Sequence, residues 1–220
     1  LISPILANVY LHYVLDLWFE KCIKKQLYGE AYLVRFADDF LIMFQYERDA
    51  QRVYEAVIKR MELFGLELSK EKTRILPFGR YSVTRETFDF LGFTHFNSKT
   101  RKGYYTVGHK ISRKKKKQFK SNLKKWVKEN RNTQFDEFMK TLNKKLTGSV
   151  NYYSLSGMIK EVRNLWIHSL YVTFKWLNRR SQRKSFKLEK FYEIWNDRII
   201  RPYIHVDIWS GDKVIYNKNV

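Results

Sequence analysis

Residues 32–44, Tyr-Leu-Val-Arg-Phe-Ala-Asp-Asp-Phe-Leu-Ile-Met-Phe, set two neighbouring carboxylates, Asp38 and Asp39, into a run otherwise suited to a buried β-hairpin. Aspartate is disfavoured in strands, and two adjacent unpaired negative charges repel each other and resist desolvation. Such a conflict between local sequence and fold is expected where function overrides stability. A hard divalent cation such as Mg²⁺ relieves it, because it takes oxygen ligands and brings substrate phosphates with it. The plainer alternative is a surface hairpin with a polar tip.

Charge points to the partner. The chain carries 43 Lys/Arg against 22 Asp/Glu, a net +21. Residues 1–100 hold 14 basic and 13 acidic side chains, whereas residues 101–220 hold 29 and 9. Self-repulsion on that scale opposes compaction and calls for a polyanion. Arg113, Lys114, Lys115, Lys116 and Lys117 form one run, continued at helical spacing by Lys120, Lys124, Lys125 and Lys128. A helix that packs by an apolar stripe while its cations line a phosphate backbone fits that spacing. Arg179, Arg180, Arg183 and Lys184 form a second cluster. Aromatic residues make up 17% of the chain and could stack on unpaired bases or build a core. An anionic membrane surface is the weaker alternative, because the basic helices carry core-like apolar stripes.

Other function classes drop out. Cys22 is the only cysteine, which excludes an intrachain disulfide framework and a multi-cysteine zinc site. His12, His95, His109, His168 and His205 lie singly and without metal-ligand spacing. No apolar run approaches the roughly 18 residues of a membrane span, and no basic signal-peptide start is present. A cytoplasmic, bacterial protein is expected, with an organellar one as the alternative. The absence of an initiator Met and a start inside a helical pattern suggest an N-terminally truncated fragment.

Periodicity places these groups on elements. Ser3 followed by Pro4 predicts a helix N-cap, with Leu6, Val9, Tyr10, Tyr13, Val14, Leu17 and Trp18 recurring to about residue 21. After the 32–44 hairpin, residues 48–64 predict an amphipathic helix closed by Gly65. Residues 73–78, 87–96 and 103–107 read as strands. From residue 108 the pattern turns helical: 112–129, 135–146 and 159–176, with 149–155 either extending the second helix or forming a turn. The tail, 186–220, carries one short helix. The expected fold class is α+β over 1–107, then a basic, all-helical domain over 108–185 and a tail over 186–220.

Several blocks, in order, resemble the reverse transcriptase/maturase proteins of bacterial and organellar group II introns. Ser3 to Leu11 resembles the part of polymerase motif B that follows Pro-Gln-Gly. Arg35-Phe36-Ala37-Asp38-Asp39 resembles the Arg-Tyr-Ala-Asp-Asp signature of motif C, with Phe36 in place of Tyr. Gly65 to Ser69 with Glu71, Lys72 and Thr73 resembles motif D, and Phe90-Leu91-Gly92-Phe93 the primer grip. Leu142-Asn143-Lys144-Lys145-Leu146 with Gly148, Asn151, Tyr152 and Tyr153, then Trp176 to Gln182, resembles the thumb/maturase domain.

The resemblance implies a partial polymerase palm followed by that domain. It implies RNA-directed DNA synthesis and assistance to intron splicing, with RNA, a DNA primer and dNTPs as partners. Asp38 and Asp39 would be metal ligands of a two-metal Mg²⁺ site whose third carboxylate, from motif A, is missing, so polymerisation by this chain alone is not expected. Lys72 would neutralise or protonate departing pyrophosphate, Phe90–Phe93 would hold the primer end, and Lys144 and Lys145 would join the basic clusters on RNA. The rival functions are a non-enzymatic RNA-binding splicing factor and a defence-associated reverse transcriptase of CRISPR or retron type. Oligomeric state is left open.

Overall fold

A computed structural model of the chain describes residues 2–69, 71–180, 185–204 and 206. The chain divides into two compact units: Leu1–Leu91 with Asn97–Thr106, and Gly92–Phe96 with Val107–Val220.

The first unit opens with α1 (Ser3–Leu11), which buries none of its residues. Ser3 is not the cap: Ile2 takes that place without a side-chain hydrogen bond, and Pro4 falls in the first turn, where a missing N–H is tolerated. The helix runs on through π-helical turns at His12–Asp16 and Phe19–Ile23 and a 3₁₀ turn at Lys24–Gln26. It therefore outlasts its sequence pattern, and its buried side differs from the predicted one. Val14, Leu15 and Phe19 are buried, whereas Leu6, Val9, Tyr10 and Tyr13 are exposed.

Strands β1 (Ala31–Phe36) and β2 (Asp39–Phe44) form an antiparallel hairpin from Ala31↔Phe44 to Phe36↔Asp39. Helix α2 (Glu47–Leu63) covers it, burying Val53, Val57 and Met61 at helical spacing. These residues join Val14, Leu15, Phe19 and Ala31 in one cluster, with Leu33, Phe40, Ile42 and Phe44 packed against it. One hairpin face is thus in the core; Tyr32, Val34, Phe36 and Met43, on the other, are exposed. Gly65, at φ 68°, closes α2 in a Schellman arrangement: Leu66 N–H donates to Met61 O and Gly65 N–H to Glu62 O.

Residues 73–78, predicted as a strand, form no ladder. Side chains hold this stretch instead: Ser82 and Thr84 hydroxyls donate to Pro77 O, Arg74 donates to Thr87 O, and Phe78 meets Phe88 edge to face. The predicted strand 87–96 is two strands, β3 (Thr87–Phe90) and β4 (Phe93–Lys99), which form a sheet in the order β3-β4-β5 with β5 (Tyr105–Ile111). Leu91 and Gly92 have φ 50° and 82°. Positive φ at both central positions is the mark of a type I′ hairpin turn, and it is why the run breaks there.

In the second unit, Ser112 caps α3 (Arg113–Asn130), its hydroxyl accepting the Lys115 N–H at 3.4 Å. Helix α4 (Phe135–Tyr153) passes through Gly148 without interruption, so 149–153 extend it. Helices α5 (Ile159–Leu177) and α6 (Leu188–Arg198) complete the bundle. Leu123 and Val127 of α3, Phe138, Met139, Leu142 and Leu146 of α4, Trp166, Leu170 and Leu177 of α5, and Phe191 and Trp195 of α6 form one buried cluster. Asn143 pins the chain beyond α6: its Oδ1 accepts the Ile200 N–H at 2.8 Å, while Trp166 Nε1 donates to Ile200 O at 2.9 Å. The structure is mixed α and β, consistent with a partial palm and a helical domain.

Candidate functional site

The hairpin register leaves only Ala37 and Asp38 between the strands, with Asp39 the first residue of β2. Asp38 and Asp39 are both exposed. Neither carboxylate pairs with any described side chain, so the two lie next to each other with no cation to offset them. Among the described residues, no three His, Cys, Asp or Glu side chains come together as a metal-binding group.

Ala37 has φ 55°, at the turn position where type II′ hairpins take positive φ and prefer glycine. An L-residue pays about 1–2 kcal/mol there. Arg35 holds the turn in that shape. It lies on the core face of β1, in step with Ala31 and Leu33, and its Nη1 donates to Ala37 O at 2.9 Å.

The remaining donors of that guanidinium reach back to the first helix. Nε and Nη2 grip Asp16 Oδ1 and Oδ2, each at 2.7 Å, and Nη1 also donates to Asn8 Oδ1 at 2.9 Å. The Arg35 and Asp16 side chains are 12% and 26% exposed, so the fork is largely screened from water. The Arg35 hydrogen bonds hold the Asp16 carboxyl below the usual aspartate range, partly opposed by burial, and Asp16 in turn raises Arg35. In an unbroken α-helix, residues eight apart diverge by about 80°. The wider π turn at His12–Asp16 brings Asn8 and Asp16 back toward one line, where a single planar group can hold both. Sequence patterns single out Arg35 only as part of a motif and pass over Asp16 altogether. Two signals were available: a lone aspartate in an apolar helical run, and an arginine at a core-facing strand position.

Lys72 lies exposed in the turn after α2, its N–H donating to Ser69 O, and makes no ion pair among the described residues. Phe90 ends β3, Leu91 and Gly92 form the turn, and Phe93 starts β4. Gly92 O accepts the Ser112 N–H, and a Cβ added at Gly92 would lie 3.4 Å from Lys115 Cγ and 3.5 Å from Tyr153 Oη. Gly92→Ala is expected to cost about 1 kcal/mol, mainly from its φ, read as a lower urea midpoint at unchanged m-value. An unchanged midpoint would show that the turn tolerates a side chain. Phe93 stacks on Tyr152 and meets Tyr153 edge to face; Tyr153 is packed in the core, but Tyr152 is 51% exposed.

On α3, Phe119 and Trp126 pack beside buried Leu123 and Val127, matching the predicted stripe. Arg113, Lys114, Lys115, Lys117, Lys120 and Lys124 are exposed on the remaining surface. Lys116 differs: it is half-buried and ion-paired with Glu161 of α5, which occupies its charge. Lys144 is exposed, and the Lys145 ammonium lies over the Trp126 ring at 5.4 Å. Arg179 is exposed and Arg180 half-buried; Arg183 lies outside the described residues. Two histidines that look isolated in sequence meet across β4 and β5: His95 and His109 have Nδ1 atoms 3.1 Å apart, and burial pushes the His109 ring toward its neutral form.

The hairpin sets two carboxylates side by side, and a cationic helical bundle follows it in sequence. Residues 1–95 match the family model described as reverse transcriptase (RNA-dependent DNA polymerase), and residues 116–193 match that of the group II intron, maturase-specific domain. The chain belongs to the intron-encoded reverse transcriptase/maturase family. No curated relative matches it. Membership implies RNA binding, and reverse transcriptases as a family use divalent metals. No helix among the described residues is long and apolar enough to cross a membrane.

Proposed function

We propose that Asp38 and Asp39 are this chain's ligands for Mg²⁺ in RNA-templated DNA synthesis, and that the lysine and arginine faces of α3, α4 and the end of α5 hold intron or template RNA. The observation that carries the reading is the pair of exposed, unpartnered carboxylates on a turn fixed from behind by Arg35. They fit the group: hard oxygen donors, open to solvent, with no competing cation. Bound there, Mg²⁺ would activate a primer hydroxyl and stabilise charge on the leaving pyrophosphate.

The chain's own residues contribute placement. Arg35 keeps the turn from relaxing, and the open hairpin face with Phe36, Val34 and Met43 offers an apolar floor beside the carboxylates. Phe36 keeps the ring of the usual tyrosine but supplies no hydroxyl. Lys72 serves the departing pyrophosphate of a dNTP, and the Phe90–Phe93 turn supports the DNA primer end, with Gly92 allowing close backbone approach.

Two carboxylates are too few to fix two metals, so the 220-residue chain alone is expected to give no template-primed dNTP incorporation above background. Extension that depends on Asp38 would overturn that statement. Asp38→Ala is expected to abolish Mn²⁺ binding at the turn, followed by paramagnetic relaxation, while RNA affinity stays within about twofold, since no phosphate contact is removed. Equal Mn²⁺ binding by the variant would remove the metal assignment. The match to the maturase-specific domain favours an intron-type enzyme over a defence-associated one.

A further inference from the structure

Trp176, in the last turn of α5, is ringed by cations. Lys128 Nζ lies 5.8 Å from its ring centroid, Arg131 Cζ 5.6 Å and Arg179 Cζ 5.4 Å. Three positive charges therefore converge on one side chain from the end of α3 and the end of α5, and none of the three forms an ion pair among the described residues. The residue after Arg179, Arg180, has its Nε and one terminal nitrogen shut off from water with no acceptor among the described residues, and its guanidinium lies 6.0 Å from the Phe138 ring. Burial disfavours the charged state of that group.

Structural causes account for only part of this. Lys128 and Arg131 close α3, and Arg179 and Arg180 follow α5, so each offsets the negative end of a helix. A helix C-terminus supplies roughly half an elementary charge, so two supply about one against four cations. The indole face attracts a cation, yet cations gathered around one ring also repel each other. A surplus of about three positive charges remains, in a protein already at +21.

We infer that the ends of α3 and α5 around Trp176 form a phosphodiester-binding site, in which Lys128, Arg131 and Arg179 contact successive phosphates of a single RNA strand and the indole serves as its wall. This rests on the RNA-binding reading above and deepens it, adding Arg131 and Trp176 and gathering them with Lys128 and Arg179 into one site. Arginine forks suit phosphate oxygens. The site reads no sequence, because phosphate contacts position a strand without specifying it.

The test compares the triple variant Lys128→Gln/Arg131→Gln/Arg179→Gln with a control of equal charge change, Lys21→Gln/Lys25→Gln/Lys59→Gln, in the first unit. The probe is a single-stranded oligoribonucleotide of mixed sequence, titrated over a range of salt. Each phosphate contact on a single strand contributes about 0.7 to the slope of log K against log salt. The site triple is expected to lower that slope by about 2 and weaken binding at least tenfold at 0.1 M salt; the control should change the slope by less than half as much. Removing mutually repelling cations should also leave Tm at low salt unchanged or higher. A lower Tm would show that the cations serve the fold, and equal slopes for the two triples would show a diffuse charge effect; either overturns the site. Wild-type chain that fails to bind the RNA would overturn the broader reading instead, so the two failures are distinguishable.

Discussion

Arg35→Ala should lower the stability of the first unit by about 3 kcal/mol, well above the usual effect of removing one side chain at a surface. The guanidinium makes a two-pronged contact with Asp16 and further bonds to Asn8 and to Ala37 O. Its loss leaves a carboxylate that is only 26% exposed without its partner, and an alanine held at positive φ without its tether. Arg35→Lys should recover little, since an ammonium is a point charge and cannot span both carboxylate oxygens and two carbonyl-type acceptors at once. A double-mutant cycle with Asp16→Ala isolates the pair: the double variant should lose about 2 kcal/mol less than the sum of the singles, read from urea unfolding. Strict additivity would mean that the fork contributes nothing to folding. The consequence for function is directional. A turn freed from Arg35 can relax Ala37, so Mn²⁺ affinity at Asp38 and Asp39 should fall in Arg35→Ala even though neither ligand has been touched.

The same pair sets an acid limit. Hydrogen bonds from Arg35 depress the folded-state pKa of Asp16, so its stabilisation is fully present above the unfolded value of about 3.9 and is lost as pH falls through the lower folded value. Below pH 4 the wild-type chain should lose stability faster than Asp16→Asn, in which that titration is absent; parallel acid profiles would contradict the assignment.

What sequence made legible followed periodicity. The α3 stripe, the amphipathic character of α2 and the Gly65 stop are read from spacing and residue type, because each depends on neighbours within one or two turns. Where long-range contacts decided, the pattern misled. Residues 73–78 are apolar enough for a strand but have no partner strand, and hydroxyls and an aromatic pair hold them instead. The apolar residues of α1 suggest a buried stripe, yet the π turns shift the buried side to Val14, Leu15 and Phe19. Leu91 gives no warning of positive φ; only the glycine after it does. The carboxylate pair was legible because it violates strand chemistry. The support behind it was not, because Arg35 finds Asn8 and Asp16 across 27 and 19 residues of chain. Lys116 shows the reverse case: one of five consecutive basic residues, indistinguishable in sequence, but bound to Glu161 in the fold.

The second large effect is expected in the helical bundle, where Trp195 is fully buried among Trp166, Phe191 and the α4 face. Trp195→Ala should cost about 4 kcal/mol, the sum of lost apolar burial and a cavity that ring neighbours cannot fill by small shifts. Trp195→Phe should cost far less. The Trp195 Nε1 has no hydrogen-bond partner among the described residues, so the shorter ring gives up area but also removes a buried donor left unsatisfied there. Trp166→Phe reverses that balance: its Nε1 donates to Ile200 O at 2.9 Å, so the substitution strips a carbonyl of its partner and loosens the segment that Asn143 also holds. The expected order of denaturation midpoints is wild type, Trp195→Phe, Trp166→Phe, Trp195→Ala. Because α3 and α5 owe their placement to this core, RNA affinity should follow the same order once the folded fraction falls, with the salt slope of the folded molecules unchanged. A Trp195→Phe variant less stable than Trp166→Phe would mean that ring volume, and not the satisfaction of the indole N–H, decides stability at this layer of the bundle.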